Sequence, residues 1–535
     1  MKKLIHKIQI LVLAAALGLG LNSCSDWLEL YPEGETLLED FWKSASDVEG
    51  VVASCYRAML EQDAMTRILV WGEVRSDNLQ YGQKVDGMAD GGELMKANLL
   101  ETNAYCNWAS LYVPINYCNT VCHFAPQVLD VDKNFSVNQM HAYCAEAMAV
   151  RALCYFYLVR AFGAVPYRTS ATIDDDENFN VPATDGKIIL DSMIVYLKQA
   201  KEWAQVSYSA TSSYGDYNKG RFTKQSIRAL LADIYLWQGY YEECLAECNE
   251  FLAYNNTLKL TDANYLSLEQ SEYLLSEVFY RGNSSESIFE LQFPSGGVGN
   301  GAVKALYGGI LEEANGQVAA AMGALEPIFT NTKDMRLTQF VKNPVSGVYN
   351  IAKYTTVSCT ETLGQKYHST RSTSSIDWII YRLADIYLMR AEALVELSSG
   401  EGDEKLTEAM TMVNKTYYRA TTTVTKTGDT LNINNYKTKE QMRELVLDER
   451  QREFMFEGKR WFDLLRAARK DNDPQVVIDH VLLKDYYQGT SENLVKSKFA
   501  SMDALYWPYY ESELDANDQL VQNPFYKMDE TTERN

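Results

Sequence analysis

The six residues LADIYL occur twice in this chain, at residues 231–236 and 383–388, 152 positions apart. An identical stretch of that length marks either a repeated active element or a repeated piece of scaffold, and its surroundings decide which. Around the second copy, apolar residues fall at Ile380, Leu383, Ala384, Tyr387, Ala391, Leu394 and Val395. Those steps of three, four and seven predict one face of a helix. Ile227, Leu230, Leu231, Ile234 and Trp237 do the same around the first copy, with Thr223 as N-cap and Gly239 as stop. The run YYEECLAECNEFLAY then opens another helix at once. Helix, tight glycine turn, helix is the tetratricopeptide-like hairpin, in which small residues (here Ala232 and Ala384) let paired helices approach. A more diverged third copy reads HAYCAEAMAVRALCYFYLVRAFG, with Ala145, Met148, Ala149, Ala152, Phe156 and Val159 on one face. The shared residues are apolar packing groups, so the repeat is scaffold.

Function therefore belongs to what is not repeated. Three stretches interrupt the helical pattern: residues 71–92, the Gly-, Ser-, Thr- and Asn-rich region from about 279 to 375, and the Thr-rich residues 421–436, read as β or irregular. Loops held by a rigid frame commonly carry binding residues. A chain of 535 residues with 46% hydrophobic and 23% charged residues has the composition of a folded protein of one large helical assembly or two to three domains. Acidic residues outnumber basic ones by 72 to 50, which argues against nucleic acid as partner. The 36 Tyr and 9 Trp supply rings that stack on sugars or clasp peptides.

The N-terminus reads as an export signal. MKK is followed by an uncharged, largely apolar run of 14 residues at 8–21. A transmembrane helix needs roughly 20. Leu21, Ser23 and Cys24 in LNSCSDWLE follow the bacterial lipoprotein pattern, with Cys24 as the acylated residue after loss of residues 1–23. Acyl chains anchor a protein without a spanning helix, and no later stretch reads as long enough to span. The remaining chain is expected to form one assembly over 24–535, with N-terminal (about 24–270) and C-terminal (about 271–535) parts interleaved.

Nine cysteines follow Cys24, too scattered for a disulfide framework. Cys118 and Cys122, with His123, His141 and Cys144, can be drawn as a zinc site, but their apolar helical setting reads as core. The acidic run at 174–177 (DDDE) reads as a solvated turn rather than a calcium loop. No metal or cofactor is expected. Hydrolase, metalloprotease and phosphate-loop motifs are absent, GGVGNG at 296–301 lacks the flanking strand and helix of a nucleotide loop, and 72 acids make carboxylate pairs uninformative. The chain reads as a binding protein, not an enzyme. In ERQREFMFEGKRWFDLLR (449–466), Glu449, Glu453 and Glu457 share a helix face, but interleaved Phe, Trp, Leu and Arg point to packing and ion pairs.

That last segment resembles the C-terminal signature of the SusD/RagB family, nutrient-binding lipoproteins on the outer membrane of Bacteroidetes-type bacteria. The resemblance continues in SDWLELYPEGE after Cys24, WGEVRSDN at 71–78, AEAMAVRALCYFYLVRAFGAVPY, GRFTKQSIRALLADIYL, IIYRLADIYLMRAEAL and WPYYESELDANDQLVQNPFY at 507–526. It implies a mainly α fold, with tetratricopeptide-like hairpins on one side and an irregular, loop-rich ligand-binding portion on the other. It also implies a SusC-type TonB-dependent transporter docked on the helical side. The ligand is an oligosaccharide or, in some members, a peptide, and no chemistry is performed. SDWLE fits a surface-export signal, which places the lipid-anchored protein on the extracellular side of the outer membrane. Carried over by position, the ligand site falls on Asp77, Asn78, Tyr81 and Gln83, and on Tyr280, Arg281, Asn283, Tyr307, Tyr354 and Trp378. Trp71 and Trp108 go to the core. The abundance of Tyr and Trp favours a glycan over a peptide. A surface adhesin or scaffold and a cryptic hydrolase are the other readings.

Overall fold

Helical hairpins build one half of the protein. In the computed structural model, residues 41–527 are described, apart from residues 89, 174–176, 209–210, 213–214, 263, 295, 298, 311–314 and 363–364. Cys24, the signal segment and most of the acidic run at 174–177 lie outside the described residues. Helix α1 (Ala45–Leu60) and helix α2 (Gln62–Leu69) come first, followed by the long pair α3 (Ala109–Val131) and α4 (Val137–Phe162). Helix α5 (Gly186–Trp203) packs on α4. The hairpin α6 (Lys224–Gln238) and α7 (Tyr241–Thr257) carries the first LADIYL, and α8 (Leu383–Leu397) and α9 (Glu404–Thr421) carry the second. Helices α10 (Lys439–Phe454) and α11 (Arg460–Asp471) follow.

Local chemistry sets the boundaries. The Thr223 hydroxyl accepts from Ser226 N at 3.3 Å to cap α6. Gly239, at φ 77°, ends that helix in the left-handed conformation that glycine adopts without strain. The second copy differs. Ile380, read as part of the helix face, lies in a strand, and α8 starts only at Leu383. The aromatic and β-branched run WIIYR (Trp378–Arg382) instead pairs antiparallel with Ser287–Leu291.

Helix α4 corrects another expectation. It is long and apolar enough to cross a membrane by composition, yet it lies almost wholly inside the fold, surrounded by α3, α5 and α1. It is hydrophobic on nearly every side because protein covers nearly every side.

The irregular half is held by short two-stranded pairs. Strand β1 (Leu79–Tyr81) pairs with β3 (Val318–Ala320), β2 (Ser287–Leu291) with β6 (Trp378–Arg382), and β4 (Thr356–Thr362) with β5 (Gln365–Thr370).

A buried ionic network joins the halves. Arg382 reaches Glu453 at 2.6 Å, Glu457 at 2.8 Å and Glu286 at 3.0 Å. Arg336 reaches Glu449 at 2.8 Å and Glu453 at 2.9 Å, and Lys353 reaches Glu457 at 2.5 Å. Burial raises the Glu457 carboxyl, but Arg382 and Lys353 outweigh it and hold the group down to about 2. Glu449 and Glu453 lie on α10, while Glu457, read as part of the same helix face, falls beyond its end at Phe454; all three are internal ties, consistent with packing and ion pairing rather than an active site.

Candidate functional site

Five of the ten site residues expected from sequence are fully consumed by the fold. The Asp77 carboxylate takes both arms of Arg460, at 2.8 Å each, and accepts from Gln451 at 3.0 Å. Asn78 donates to Glu73 at 2.7 Å and accepts from Gln451 at 3.0 Å. The Tyr307 hydroxyl donates to Phe456 O at 3.1 Å. Trp378 stacks on Tyr354 at 4.7 Å with a 26° tilt. None of the five is more than 1% exposed, so none offers a ring face or polar atom to a ligand in this conformation. The polar RSDN motif looks like a ligand loop in sequence because its true partners, Gln451 and Arg460, stand more than 370 residues away. The core assignment of Trp71 and Trp108 agrees with their burial.

The other five reach the surface in two groups. In the first, Tyr81 ends β1 and its ring lies 5.3 Å from that of Tyr487, tilted by 54°. The Tyr487 hydroxyl donates to the exposed Asp86 carboxylate at 3.1 Å. Gln83 is exposed and donates to Val345 O at 3.0 Å, while Gln317 donates to Gly87 O at 3.1 Å. The loop is zipped to the neighbouring chain by Gly82 N to Gln317 O at 2.9 Å and Lys84 N to Gly316 O at 3.1 Å. Gly82 is required there, since a Cβ would lie 2.5 Å from Gly316 O. Tyr487 was not marked by the sequence, because no periodicity or motif distinguishes the YY of KDYYQG.

In the second group, the segment Leu274–Arg281 forms a π-helical turn. Arg371 sits 4.7 Å over the Tyr280 ring and donates to the carbonyls of Tyr280 and Ser375 at 2.6 and 2.8 Å. Arg281 pairs with Glu277 at 2.6 Å on the surface. Asn283 lines a polar cleft of about 300 Å³ with Lys219, Asp262, Tyr265, Ser267 and Ser285. Its backbone N–H donates to both oxygens of buried Glu290, at 3.0 and 3.2 Å. Burial, then the nearby Asp377 carboxylate, pushes Glu290 up to about 7, and burial pushes Asp377 up to about 6.

A larger cavity lies elsewhere. A groove of about 560 Å³ runs along α3 and is lined by Tyr112, Tyr117, Arg168, Phe179, Glu513 and Leu520 among others. Val113, Tyr117 and Phe179 are 49%, 40% and 54% exposed, an unusual concentration of apolar surface. None of the ten expected residues lines it. The residues drawn as a zinc site do not converge. His141 stacks on Trp203 at 4.1 Å and His123 packs on Phe124, and among the described residues no group of three or more His, Cys, Asp or Glu is placed to hold a metal.

Comparison with known proteins agrees along most of the length. The SusD family profile matches residues 286–526, and a second SusD-like profile, described as starch-binding and associating with the outer membrane, matches residues 26–236. The SusD-like protein P38 of Formosa agariphila is 26% identical over 480 residues, covering 84% of this chain and 89% of that protein. The SusD-like protein P2 of the same organism is 25% identical over 501 residues, covering 87% and 91%. A SusD superfamily structure from Bacteroides thetaiotaomicron superposes with a TM-score of 0.68 at 23% identity, covering 91% of this chain and 99% of that one. A putative sugar binding protein from Bacteroides vulgatus gives 0.66 at 20%, covering 92% and 100%. These structural likenesses show the fold, which is mainly α with tetratricopeptide-like hairpins. With one SusD profile matching the N-terminal part of the chain and another the C-terminal part, and with the fold in common, the chain belongs to the SusD family.

Proposed function

We propose that this protein captures an oligosaccharide at the cell surface and passes it to a SusC-type TonB-dependent transporter, without chemistry of its own. The family supplies the coarser part of that reading, a sugar-binding role at the outer membrane. In this reading Cys24, outside the described residues, carries the acyl anchor, and the body faces outward.

The observation that supports glycan capture is the Tyr81–Tyr487 pair. Two tilted rings offer an apolar platform for a pyranose face, and Gln83, Asp86 and Gln317 around it supply amide and carboxylate partners for hydroxyls. Such a platform binds modestly, as suits a protein that must release its ligand. The Asn283 cleft is a second polar surface for the same chain, holding hydroxyls and amides but fewer rings. The helical side, with its exposed apolar groove along α3, is the face assigned to the transporter.

The test is calorimetric titration of residues 25–535 against oligosaccharides and peptides, with the recovered ligand checked by mass. Binding of one glycan class, intact afterwards and weakened by Tyr81→Ala and by Tyr487→Ala, supports the reading. Selective peptide binding keeps the capture role and overturns the ligand. Cleaved ligand overturns the non-catalytic role.

A further inference from the structure

Arg75, Lys484 and Lys498 come from three separate stretches and line one small cavity, walled also by Tyr486, Phe499 and Tyr526. Arg75 caps the π-helical turn Val70–Val74, Lys484 follows the helix Gln475–Val481, and Lys498 ends the helix Glu492–Lys498. Arg75 is 6% and Lys484 7% exposed, and Lys498 is half-buried. Arg75 donates to the carbonyls of Leu505 and Ala504 at 2.8 Å each, and its guanidinium lies 4.3 Å over the Trp461 ring. Lys484 donates to Ser76 O at 2.7 Å and more weakly to Arg75 O at 3.4 Å, and Lys498 donates to Asn98 Oδ1 at 3.0 Å. Among the described residues none of the three pairs with a carboxylate, in a chain where acidic residues outnumber basic ones by 72 to 50. The acids whose fields reach them are engaged elsewhere. Asp77, which acts on Lys484, takes both arms of Arg460 at 2.8 Å. Glu93, on which Lys498 acts, holds Lys96 at 2.9 Å and Asn98 at 2.7 Å. Carbonyls and rings replace part of the hydration a buried cation loses, but they leave its charge unbalanced. Burial accordingly lowers the Lys484 ammonium to about 7, with Asp77 offsetting only part of the shift and Arg75 adding to it.

The donors on the wall define what the cavity takes. An ammonium carries three N–H groups and a guanidinium five, so after the bonds above all three cations keep donors, and none of them offers an acceptor. The Tyr486 hydroxyl is committed to Val481 O at 3.1 Å, and that of Tyr526 to the carbonyls of Tyr506 and Ala504 at 3.1 and 3.3 Å. A matching ligand is therefore an acceptor that carries negative charge. The cavity measures about 20 Å³. A water-sized sphere takes roughly 10–15 Å³, so there is room for a halide ion or the head of a carboxylate and none for a sugar ring. Tyr486 on the wall is followed in the chain by Tyr487 of the ring pair. The anion thus has two sources, a free ion or a carboxylate carried by a captured sugar.

We propose that Arg75, Lys484 and Lys498 bind one small monovalent anion, a halide or a carboxylate, in this cavity. The anion supplies the counter-charge that the fold withholds from Arg75 and Lys484. It also ties together three stretches distant in sequence: the turn after α2, the loop after Val481 and the helix Glu492–Lys498. The site is distinct from the ring pair of Tyr81 and Tyr487, and it stands or falls without glycan capture there.

The test is thermal melting of the full chain in chloride-free buffer with sodium chloride, bromide, acetate or glucuronate added. Sodium isethionate, whose sulfonate head is too large for the cavity, matches the ionic strength. The expected result is a saturable rise in melting temperature with chloride, bromide and acetate beyond that in isethionate. Lys484→Met and Lys498→Ala should each weaken the apparent affinity at least about tenfold, the scale of one charge-assisted hydrogen bond. Lys498 is only half-buried, so its variant leaves a folded protein to measure even where Lys484→Met does not. In bromide-soaked crystals, anomalous scattering should place one ion within hydrogen-bonding reach of Lys484 Nζ and the Arg75 guanidinium. A glucuronate response equal to or above that of acetate assigns the anion to a carboxylate on the captured ligand. A response to the small ions alone assigns it to a free ion, and either upholds the site. No gain over isethionate, a gain that the Lys498→Ala protein keeps in full, or a bromide peak without a saturable rise, which marks an adventitious ion only, overturns the proposal.

Discussion

The two LADIYL helices and the irregular half place their polar residues by opposite logic. In α6 and α8 the polar residues face outward or cap helix ends, and the apolar face does the packing. In the irregular half, charged and amide groups go inside: Arg336, Lys353, Glu286, Glu290 and Asp77 are all essentially buried. A helix satisfies its own backbone and needs only an apolar stripe to be fixed. Irregular chain has no such internal ladder, so side-chain hydrogen bonds and ion pairs must hold it, and each works only if its distant partner is present. The difference separates a half that one segment can specify from a half that only the whole chain can.

Arg382→Met breaks that contrast most forcefully. It removes the guanidinium shared by Glu286, Glu453 and Glu457 and leaves three buried carboxylates under-compensated. A loss of about 3–5 kcal/mol is expected from denaturant unfolding. Because Arg336 and Lys353 tie the irregular half to the same carboxylates, both halves should unfold in one transition. Two separate transitions would show that the network does not couple them.

Leu231→Ala tests the scaffold by itself. Leu231 is 0% exposed in the first LADIYL, and its truncation should cost about 2–5 kcal/mol through lost burial and the cavity left behind. The exposed Tyr367→Ala in β5 should stay within about 0.5 kcal/mol. Comparable losses at the two positions would contradict the division into frame and surface.

Acid–base behaviour sharpens the comparison further. Glu457, held down to about 2, contributes stability that is present above its ordinary value near 4.5 and lost as pH falls toward 2. Glu290, raised to about 7, behaves in the opposite sense: its folded form binds the proton more tightly than the unfolded chain does. Its contribution is complete below about 4.5 and is lost as pH rises through about 7. Glu290 and Asp377 titrate as a pair, so the decline belongs to both. Glu290→Gln should flatten the fall of stability between those pH values by roughly 2–3 kcal/mol, read from urea midpoints at several pH values. An unchanged slope would place the carboxylate in water and undo the account of a buried Glu290 held by the Asn283 N–H.

The same contrast explains what could be read from the sequence. The hairpins were legible because helix signals are local: Thr223, Gly239 and the steps of three and four lie within one stretch. Ile380 was misassigned because a neighbouring strand, distant in sequence, competes there for the chain. Of the proposed platform, Tyr81 and Gln83 were legible as polar and aromatic residues in a glycine-bearing loop. Asp77 and Asn78, a few residues earlier, carry the same local signal and are buried, since only Gln451 and Arg460 decide their fate. Tyr487 carried no signal at all, because its proposed role comes from lying beside Tyr81.

The smallest expected effect is therefore the most informative about function. Tyr81→Ala and Tyr487→Ala remove half-buried rings at the edge of the fold, so each should change stability by under about 1 kcal/mol. If the two rings form one platform, each substitution should weaken glycan binding by about 1 kcal/mol, roughly fivefold in Kd. The double variant should then lose less than the sum, because the second ring has little to offer once the first is gone. Additive losses in calorimetry would mean two independent contacts, and unchanged affinity in both would move the ligand to the Asn283 cleft. There Asn283→Ala would be the decisive variant: its side chain takes the 2.5 Å hydrogen bond from Gln292, while the Glu290 contacts come from its backbone and survive the change.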